Sequence, residues 1–448
     1  MSEVHPFRAF RYNPQRVSFD RVLTQPYDKI SSTMQEHYYA ADPHNLIAIE
    51  KGRAFPKDTQ EDNVYTRAVI AWQEWIRDGI VVQDPAPAFY AYTQGYCVPG
   101  TQERRLQRGL IGAGKLEEYS AGIVFRHEHT LSGPKADRLE LLRHTQTQTG
   151  QLFMLYTDPQ RKVDVILAEA ESEAEPATQV HDEYGVVHRL WVIAEPQRVA
   201  AIQEAMAALK LVIADGHHRY ETALTYRNER RKQAGRGNPV AAYERAMMTF
   251  VNTRGEGLTI LPTHRVAANL VEFSWSDVRR YLEPWFAAEV FPFGNESQQA
   301  ASREKFLARL TETRGQRSIG VYPQAEAGKR AYYLLTLRSG ANLTQLLPSV
   351  SSLQRELDVV LLHEGILEPA LGITSQAVKT ERNLTYEREA MRALDAVDSG
   401  KAQVAFLLNA CQVEQVVRIA IAGEVMPQKS TDFYPKLLSG ITMYRADD

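Results

Sequence analysis

Leu211-Val212-Ile213-Ala214-Asp215-Gly216-His217-His218-Arg219-Tyr220-Glu221 is the stretch on which the reading of this chain turns. Four apolar residues run into Asp-Gly, and two histidines and an arginine follow at once. The pattern predicts a buried strand over 211–214, a tight turn, and a helix from about His218 to Arg231. Gly216 permits a sharp turn and close approach of a ligand to backbone. A helix start offers unpaired N–H groups and the positive end of the helix dipole, so it attracts anions. Arg219 adds a forked donor suited to phosphate oxygens. His217 and His218 add donors whose charge changes near neutral pH. Asp215 as a simple helix cap accounts for Asp-Gly, but not for two histidines and an arginine crowded at one helix start.

Outward from this unit, helical and strand patterns alternate. Helices are expected at Val64–Asp78, ended by Gly79, and at Pro134–His144 and Pro196–Leu209. Strands are expected at Phe89–Thr93, Leu106–Leu116, Leu152–Tyr156, Val186–Ile193 and Ala246–Val251. Beyond Pro262 the texture changes. Helices are expected at Ser276–Ala287, Ser302–Thr313 and Leu353–Ile366, with strands at Ser318–Tyr322, Ala331–Leu337 and Gln403–Leu408. The fold class is therefore α/β (mixed α+β), with a boundary near residue 265 between a first region, 1–265, and a mixed α/β C-terminal region, 266–448.

A second chemical segment is Arg126-His127-Glu128-His129-Thr130, followed by Pro134-Lys135-Ala136-Asp137-Arg138. In an extended chain His127 and His129 share one face and Glu128 takes the other, an arrangement open to metal binding or to Glu128 as a base. Lys135 and Arg138 fall one helical turn apart and would add to a basic pocket. A charged surface helix explains the same residues equally well. The turn Gln25-Pro26-Tyr27-Asp28-Lys29-Ile30 could deliver Asp28 as a magnesium ligand or base, although most such turns are only turns. Thr263-His264-Arg265 repeats the anion-site pattern weakly, and structural use is the better reading there. Near the C-terminus, MPQKSTDFYPK (426–436) sets lysines, hydroxyls and aromatics in an irregular stretch, suited to binding or to docking by its aromatics.

The 448 residues carry a net charge of -3 and 44% hydrophobic residues, the balance of a soluble protein of two or three domains. That charge argues against nucleic-acid binding through a broad basic surface. Two cysteines cannot build a disulfide framework or a cysteine zinc site. No signal core or membrane-length apolar run is visible, so a cytoplasmic protein is expected. There is no GxxxxGK[ST], HExxH or G-x-S-x-G, and GLIGAGK (109–115) reads as a strand of small residues.

Taken together, HPFRAFRY, QPYDKI, GLIGAGKLEEYSAGIVFRHEHT, PKADRLELLR, LFMLYTD, IADGHHRYETAL, GLTILPTHR and MPQKSTDFYPKLLSG resemble the family of the domain of unknown function ten-fifteen. The strand–DGHHR–helix unit is also similar to the phosphate corner of the ParB/sulfiredoxin-like superfamily, and most of all to free serine kinases. That resemblance implies a ParB/sulfiredoxin-like nucleotide-binding core, with an N-terminal elaboration, in residues 1–265, and a phosphate role for Gly216, His217, His218 and Arg219, with Asp215 as neighbour. It also implies an acidic base for the acceptor hydroxyl, for which Glu128 and Asp28 are the candidates.

The favoured function is nucleotide-dependent phosphoryl transfer to a small hydroxylated metabolite, free serine among the options. Mg²⁺ with ATP or another nucleoside di- or triphosphate is the expected cofactor. Glu128, Asp28 and His217 are the candidate catalytic residues. Asp215, Gly216, His217, His218, Arg219, Lys135 and Arg138 are the candidate phosphate-binding residues. One alternative is a metal-dependent hydrolase using His127, His129, His217 and His218. Another is a nucleotide-gated binding module without turnover. The partners expected are a nucleotide and a small substrate, with no membrane and no nucleic acid, and a homo-oligomer stays open.

Overall fold

The protein is described from a computed structural model, covering residues 1–128, 132–235, 238–379 and 382–447. It is a mixed α/β chain that divides into two compact units. The first is Met1–Thr259 together with the chain from Phe433 onward, and the second is Ile260–Asp432. The C-terminal segment, grouped above with the region beyond 265, thus belongs to the first unit. Hydrophobic periodicity carries no signal for such a return, because it reports neighbours along the chain only.

The first unit is built on a nine-stranded mixed sheet. Its strands are β1 (Val4–His5), β2 (Phe89–Cys97), β3 (Arg104–Lys115), β4 (Val124–Phe125), β5 (Leu152–Tyr156), β6 (Thr178–His181), β7 (Val187–Ile193), β8 (Leu211–Asp215) and β9 (Arg245–Asn252). They lie in the order β4-β8-β5-β9-β3-β2-β7-β6, with β1 beside β3. β8 runs parallel to β4 and antiparallel to β5, while β9 runs parallel to β5 and antiparallel to β3. The apolar run of β8 follows from this place, since a strand flanked on both edges and covered by helices buries every side chain. The three glycines of GLIGAGK lie in β3, where a Cβ on Gly112 would stand 2.8 Å from the Phe89 ring.

The helices of this unit are α1 (Val64–Arg77), α2 (Ser132–Thr145), α3 (Lys162–Glu173), α4 (Pro196–Ala207) and α5 (His217–Gln233). Asn63 caps α1 by accepting from the backbone N–H groups of Tyr65 and Thr66, and Thr66 completes the capping box. Tyr220 and Ala223 of α5 pack into one core with Leu110, Met154, Ile213 and Phe250 of the sheet. Each such side chain contributes roughly 1.5–3 kcal/mol on burial, which fixes the start of α5 against the end of β8.

The second unit holds a six-stranded sheet of β10 (His264–Ala267), β11 (Phe286–Phe293), β12 (Ser318–Pro323), β13 (Arg330–Leu337), β14 (Leu384–Glu387) and β15 (Val404–Leu408). Its order is β11-β13-β12-β15-β10-β14, and every pairing is antiparallel. Helices α6 (Trp275–Leu282), α7 (Glu296–Glu312), α8 (Ala390–Asp398) and α9 (Val413–Ile421) belong to it. The helix expected over 276–287 stops at Leu282, and β11 follows at Phe286. β11 is an edge strand with mostly exposed residues, so it lacks the apolar alternation of a covered strand and tolerates Pro292. Over 353–366 the expected single helix is broken into short turns, with a π-helical stretch at His363–Leu367. Among the described residues no helix is long and apolar enough to cross a membrane.

Candidate functional site

Gly216 joins β8 to α5 with φ at 92°, a left-handed conformation that disfavours any side chain. A Cβ there would also stand 3.0 Å from Leu152 and 3.2 Å from the Arg219 guanidinium. The turn is held by Asp215, whose Oδ1 accepts from the N–H of Gly216 at 2.8 Å. Its other oxygen faces Lys436, whose Nζ lies 3.1 Å away. Burial by itself would raise the Asp215 carboxyl. Lys436, Arg219 and Lys29 together overcome burial and hold it well below the usual carboxylate range. Three cations from three distant segments therefore act on one carboxylate at the start of a 17-residue helix. Their charge and the helix dipole act in the same direction.

Arg219 reaches from this corner to the loop before β5, where its Nη1 donates to the carbonyl of Gln151. Tyr27 and Lys29 arrive on a short 3-10 turn, Tyr27–Lys29. Lys51 secures that turn by donating to the carbonyls of Tyr27 and Ile30. Burial pushes the Tyr27 hydroxyl up to about 12, Arg219 opposing it, so Tyr27 stays a neutral donor. Arg138 stacks on the Tyr27 ring at 4.4 Å and donates from Nη1 to the carbonyl of Glu50 at 2.7 Å.

The sequence-derived candidates fall into two groups. Asp215, Gly216, Arg219 and Arg138 gather around this corner. Asp28 lies on the same turn as Lys29, 3.8 Å from its ammonium and 37% exposed. The remaining candidates lie along α5, in α2 and on the segment before it. Lys135 ends on Glu221, 2.6 Å from Oε2, and Arg126 lies 3.5 Å from the other oxygen of the same carboxylate. His217 is turned inward: its ring lies 4.8 Å from that of His127, and its Nε2 accepts the backbone N–H of His127 at 3.5 Å. The Nδ1 of His127 is bonded to the carbonyl of Ile213 at 2.8 Å. Burial lowers both histidines, His217 strongly, with His127 adding to the effect, so the pair is neutral. Half-buried His218 acts on His217 in the same sense. The Oε1 of Glu128 lies 3.8 Å from the Nε2 of His127.

Among the described residues no group of three or more His, Cys, Asp or Glu side chains could hold a metal ion. His129 lies outside the described residues.

Lys29, Lys436 and Glu50 were given no role from the sequence. Lys29 and Lys436 stood inside stretches already singled out, QPYDKI and MPQKSTDFYPK. Glu50 stood in none, and only its burial, 3% exposed, marks it.

Residues 4–360 match the family model described as protein of unknown function (DUF1015). No protein of curated function matches the sequence. Among solved structures, a conserved hypothetical protein from Pyrococcus furiosus is 13% identical, with a TM-score of 0.31 over 69% of this chain and 87% of that one. A free serine kinase in complex with AMP is 11% identical, with a TM-score of 0.32 over 69% of this chain and 83% of that one. SbnI with C-terminal truncation from Staphylococcus aureus is 10% identical, with a TM-score of 0.32 over 73% of this chain and 85% of that one.

Proposed function

The chain belongs to the family described as protein of unknown function (DUF1015), and from the geometry of its anion corner we propose that it is a nucleotide-dependent phosphotransferase acting on a small hydroxylated metabolite. The observation that carries this is the gathering of cations at Gly216. Lys29, Arg219 and Lys436 act on the Asp215 carboxylate at a glycine-opened helix start. A phosphate chain suits such a corner. The core that bears the corner is read as ParB/sulfiredoxin-like.

In the proposed reaction the acceptor oxygen forms a bond to the terminal phosphorus while the bond to the departing diphosphate breaks. The hydroxyl proton passes to a carboxylate, Glu128 or Asp28. The protein's part is to position and to neutralise charge. Gly216 and the first N–H groups of α5 hold phosphate oxygens, and Arg219 and Lys29 take the charge that develops on them. Lys436 keeps Asp215 ionised, and Asp215 in turn keeps the Gly216 turn closed. Mg²⁺, when bound, supplies charge neutralisation between phosphate oxygens, and partly exposed Asp28 is the carboxylate suited to holding it through water.

The test is a thermal-shift series on the full chain with ATP, ADP, CTP, GTP and inorganic triphosphate, each with and without Mg²⁺. A ligand at 100 times its Kd stabilises by about 2.7 kcal/mol. Arg219→Ala should remove the shift. Phosphorus NMR with serine and other alcohols then reads transfer. Absence of any shift sinks the proposal, and binding with no transfer to any alcohol would favour the gated-module reading.

A further inference from the structure

Beside the anion corner lies a small pocket of about 60 Å³, open to solvent and walled by residues of α2, α5 and the loop before β5. Leu141, Leu142 and Leu152 form its apolar side, and Glu50, Arg138 and Arg219 its charged side. Arg219 is common to the pocket and to the corner.

Three observations point to a ligand here. Glu50 is 3% exposed, and its carboxylate is held by the hydroxyl of Thr149 on Oε2 and by that of Ser439 on Oε1. A carboxylate accepts about four hydrogen bonds, so acceptor capacity is left over. Next, Gly150 lets its backbone approach both groups. A Cβ on it would lie 3.1 Å from Nη1 of Arg219, 3.2 Å from Oγ of Ser439 and 3.5 Å from Oε1 of Glu50. A donor and an acceptor thus stand together beside a backbone that any larger residue would crowd. Last, Thr222 lines the pocket, is 4% exposed, and has no hydrogen-bond partner for its hydroxyl. A threonine in a helix ordinarily bonds back to a carbonyl one turn earlier.

Taken together, we infer that Glu50 and Arg219 read a vicinal diol in this pocket, one hydroxyl donating to the Glu50 carboxylate and its neighbour accepting from the Arg219 guanidinium. The leucines cover the carbon face of the same ligand, and Thr222 completes its polar contacts. Two arginines beside one carboxylate disfavour an ammonium and suit a neutral diol. Such a diol comes either from the ribose of a nucleotide whose phosphates lie at Gly216, or from a free polyol. The ribose source rests on the function proposed above. Glu50 acts here as a positioning residue for specificity and takes no part in proton transfer.

The test measures affinity by thermal shift and calorimetry on the full chain. The probes are ATP, 2′-deoxy-ATP, 3′-deoxy-ATP, inorganic triphosphate, and the free polyols ribose and glycerol. Wild-type protein should bind ATP about 10- to 100-fold more tightly than either deoxy form, the value of a hydrogen bond to a charged group. Glu50→Gln should reduce that ratio to near one and leave triphosphate binding unchanged. Thr222→Val, a smaller change, should lower ATP affinity severalfold in a chain that folds normally. Equal affinity for ATP and the deoxy forms, or a ratio that survives in Glu50→Gln, overturns the ribose source. If neither ATP nor triphosphate binds, the proposed function falls by itself, and the polyols decide the diol. A polyol shift lost in Glu50→Gln upholds it, and no shift with any polyol overturns it.

Discussion

Asp215–Arg219 in the first unit and Thr263–Arg265 in the second present similar residues at a strand end and put them to opposite uses. Arg265 is 1% exposed, and its donors end on groups of its own unit. Its guanidinium donates to the carbonyls of Thr263, Gln428 and Lys429 and, through Nε, to Nε2 of His363 at 3.2 Å. It lies over the Tyr386 ring at 5.4 Å. His363 is held down to about 3 by burial, with Arg265 adding to it, so it stays an acceptor. His264 is similarly lowered to about 4, and its Nδ1 accepts from the N–H of Leu408. Around Arg219 the balance differs. Several cations share one carboxylate, and the arginine is half-buried beside an open pocket. An arginine whose donors end on fixed carbonyls is a structural strut, whereas an arginine gathered with other cations beside open space is a binding group.

The largest effect expected from this contrast is on stability. Arg265→Ala should lower the unfolding free energy by about 3–5 kcal/mol, because buried carbonyls and His363 lose their donor. Urea unfolding followed by tryptophan fluorescence measures it, and a loss under about 1 kcal/mol, the net worth of one ordinary hydrogen bond, would remove the strut reading. Arg219→Ala should instead cost about 1 kcal/mol of stability and weaken triphosphate binding by roughly 100-fold. Equal stability losses in the two variants would erase the distinction.

The pH dependence separates the regions further. His363 and His264 have pKa values lowered on folding, so they stay neutral while the unfolded chain takes up protons. Their contribution is full above about 6.5 and falls as pH drops toward about 4 for His264 and about 3 for His363. Each can contribute a slope of up to ~1.4 kcal/mol per pH unit in that window. Asp215, also lowered, contributes only above its unfolded value near 3.8, and its share is lost at more acid pH. The histidines should therefore make stability fall as pH drops from about 7 to about 4.5, against the Asp358 carboxyl, which burial raises to about 7 and which acts the other way, and His363→Asn should make the fall less steep. An unchanged slope would show that His363 is not held neutral.

The smallest effect on binding is at the turn. Gly216→Ala meets both a positive φ and a close Arg219, and should cost about 1–2 kcal/mol along with some affinity for triphosphate. A neutral outcome would mean that the turn relaxes freely.

Much of the framework was legible beforehand. The strand over 211–214, the glycine turn and the helix behind it stand as read, because an apolar run followed by Asp-Gly leaves few alternatives. α1 was legible from its periodicity and from Gly79. β11 was not, since an exposed edge strand need not alternate and its Ala287-Ala288-Glu289 suits a helix equally. Within the site, Gly216 and Arg219 declared themselves by being close in sequence. His217 looked like a ligand donor and proved to be packed against His127, because the neighbours of a helix-start residue come from other elements.

The sequence by itself determined the local unit: a buried strand, a left-handed turn and a helix whose first residues can meet an anion. Those features depend on backbone preference and hydrophobic period, which act over a few residues. Only the tertiary structure decided which charges stand there. Lys29, Glu50, Gly150 and Lys436 are scattered along nearly the whole chain; the fold of the first unit brings the first three to the corner, and the return of the chain from Phe433 onward adds Lys436. Coulomb and hydrogen-bond forces depend on distance through space, and distance along the sequence does not report it.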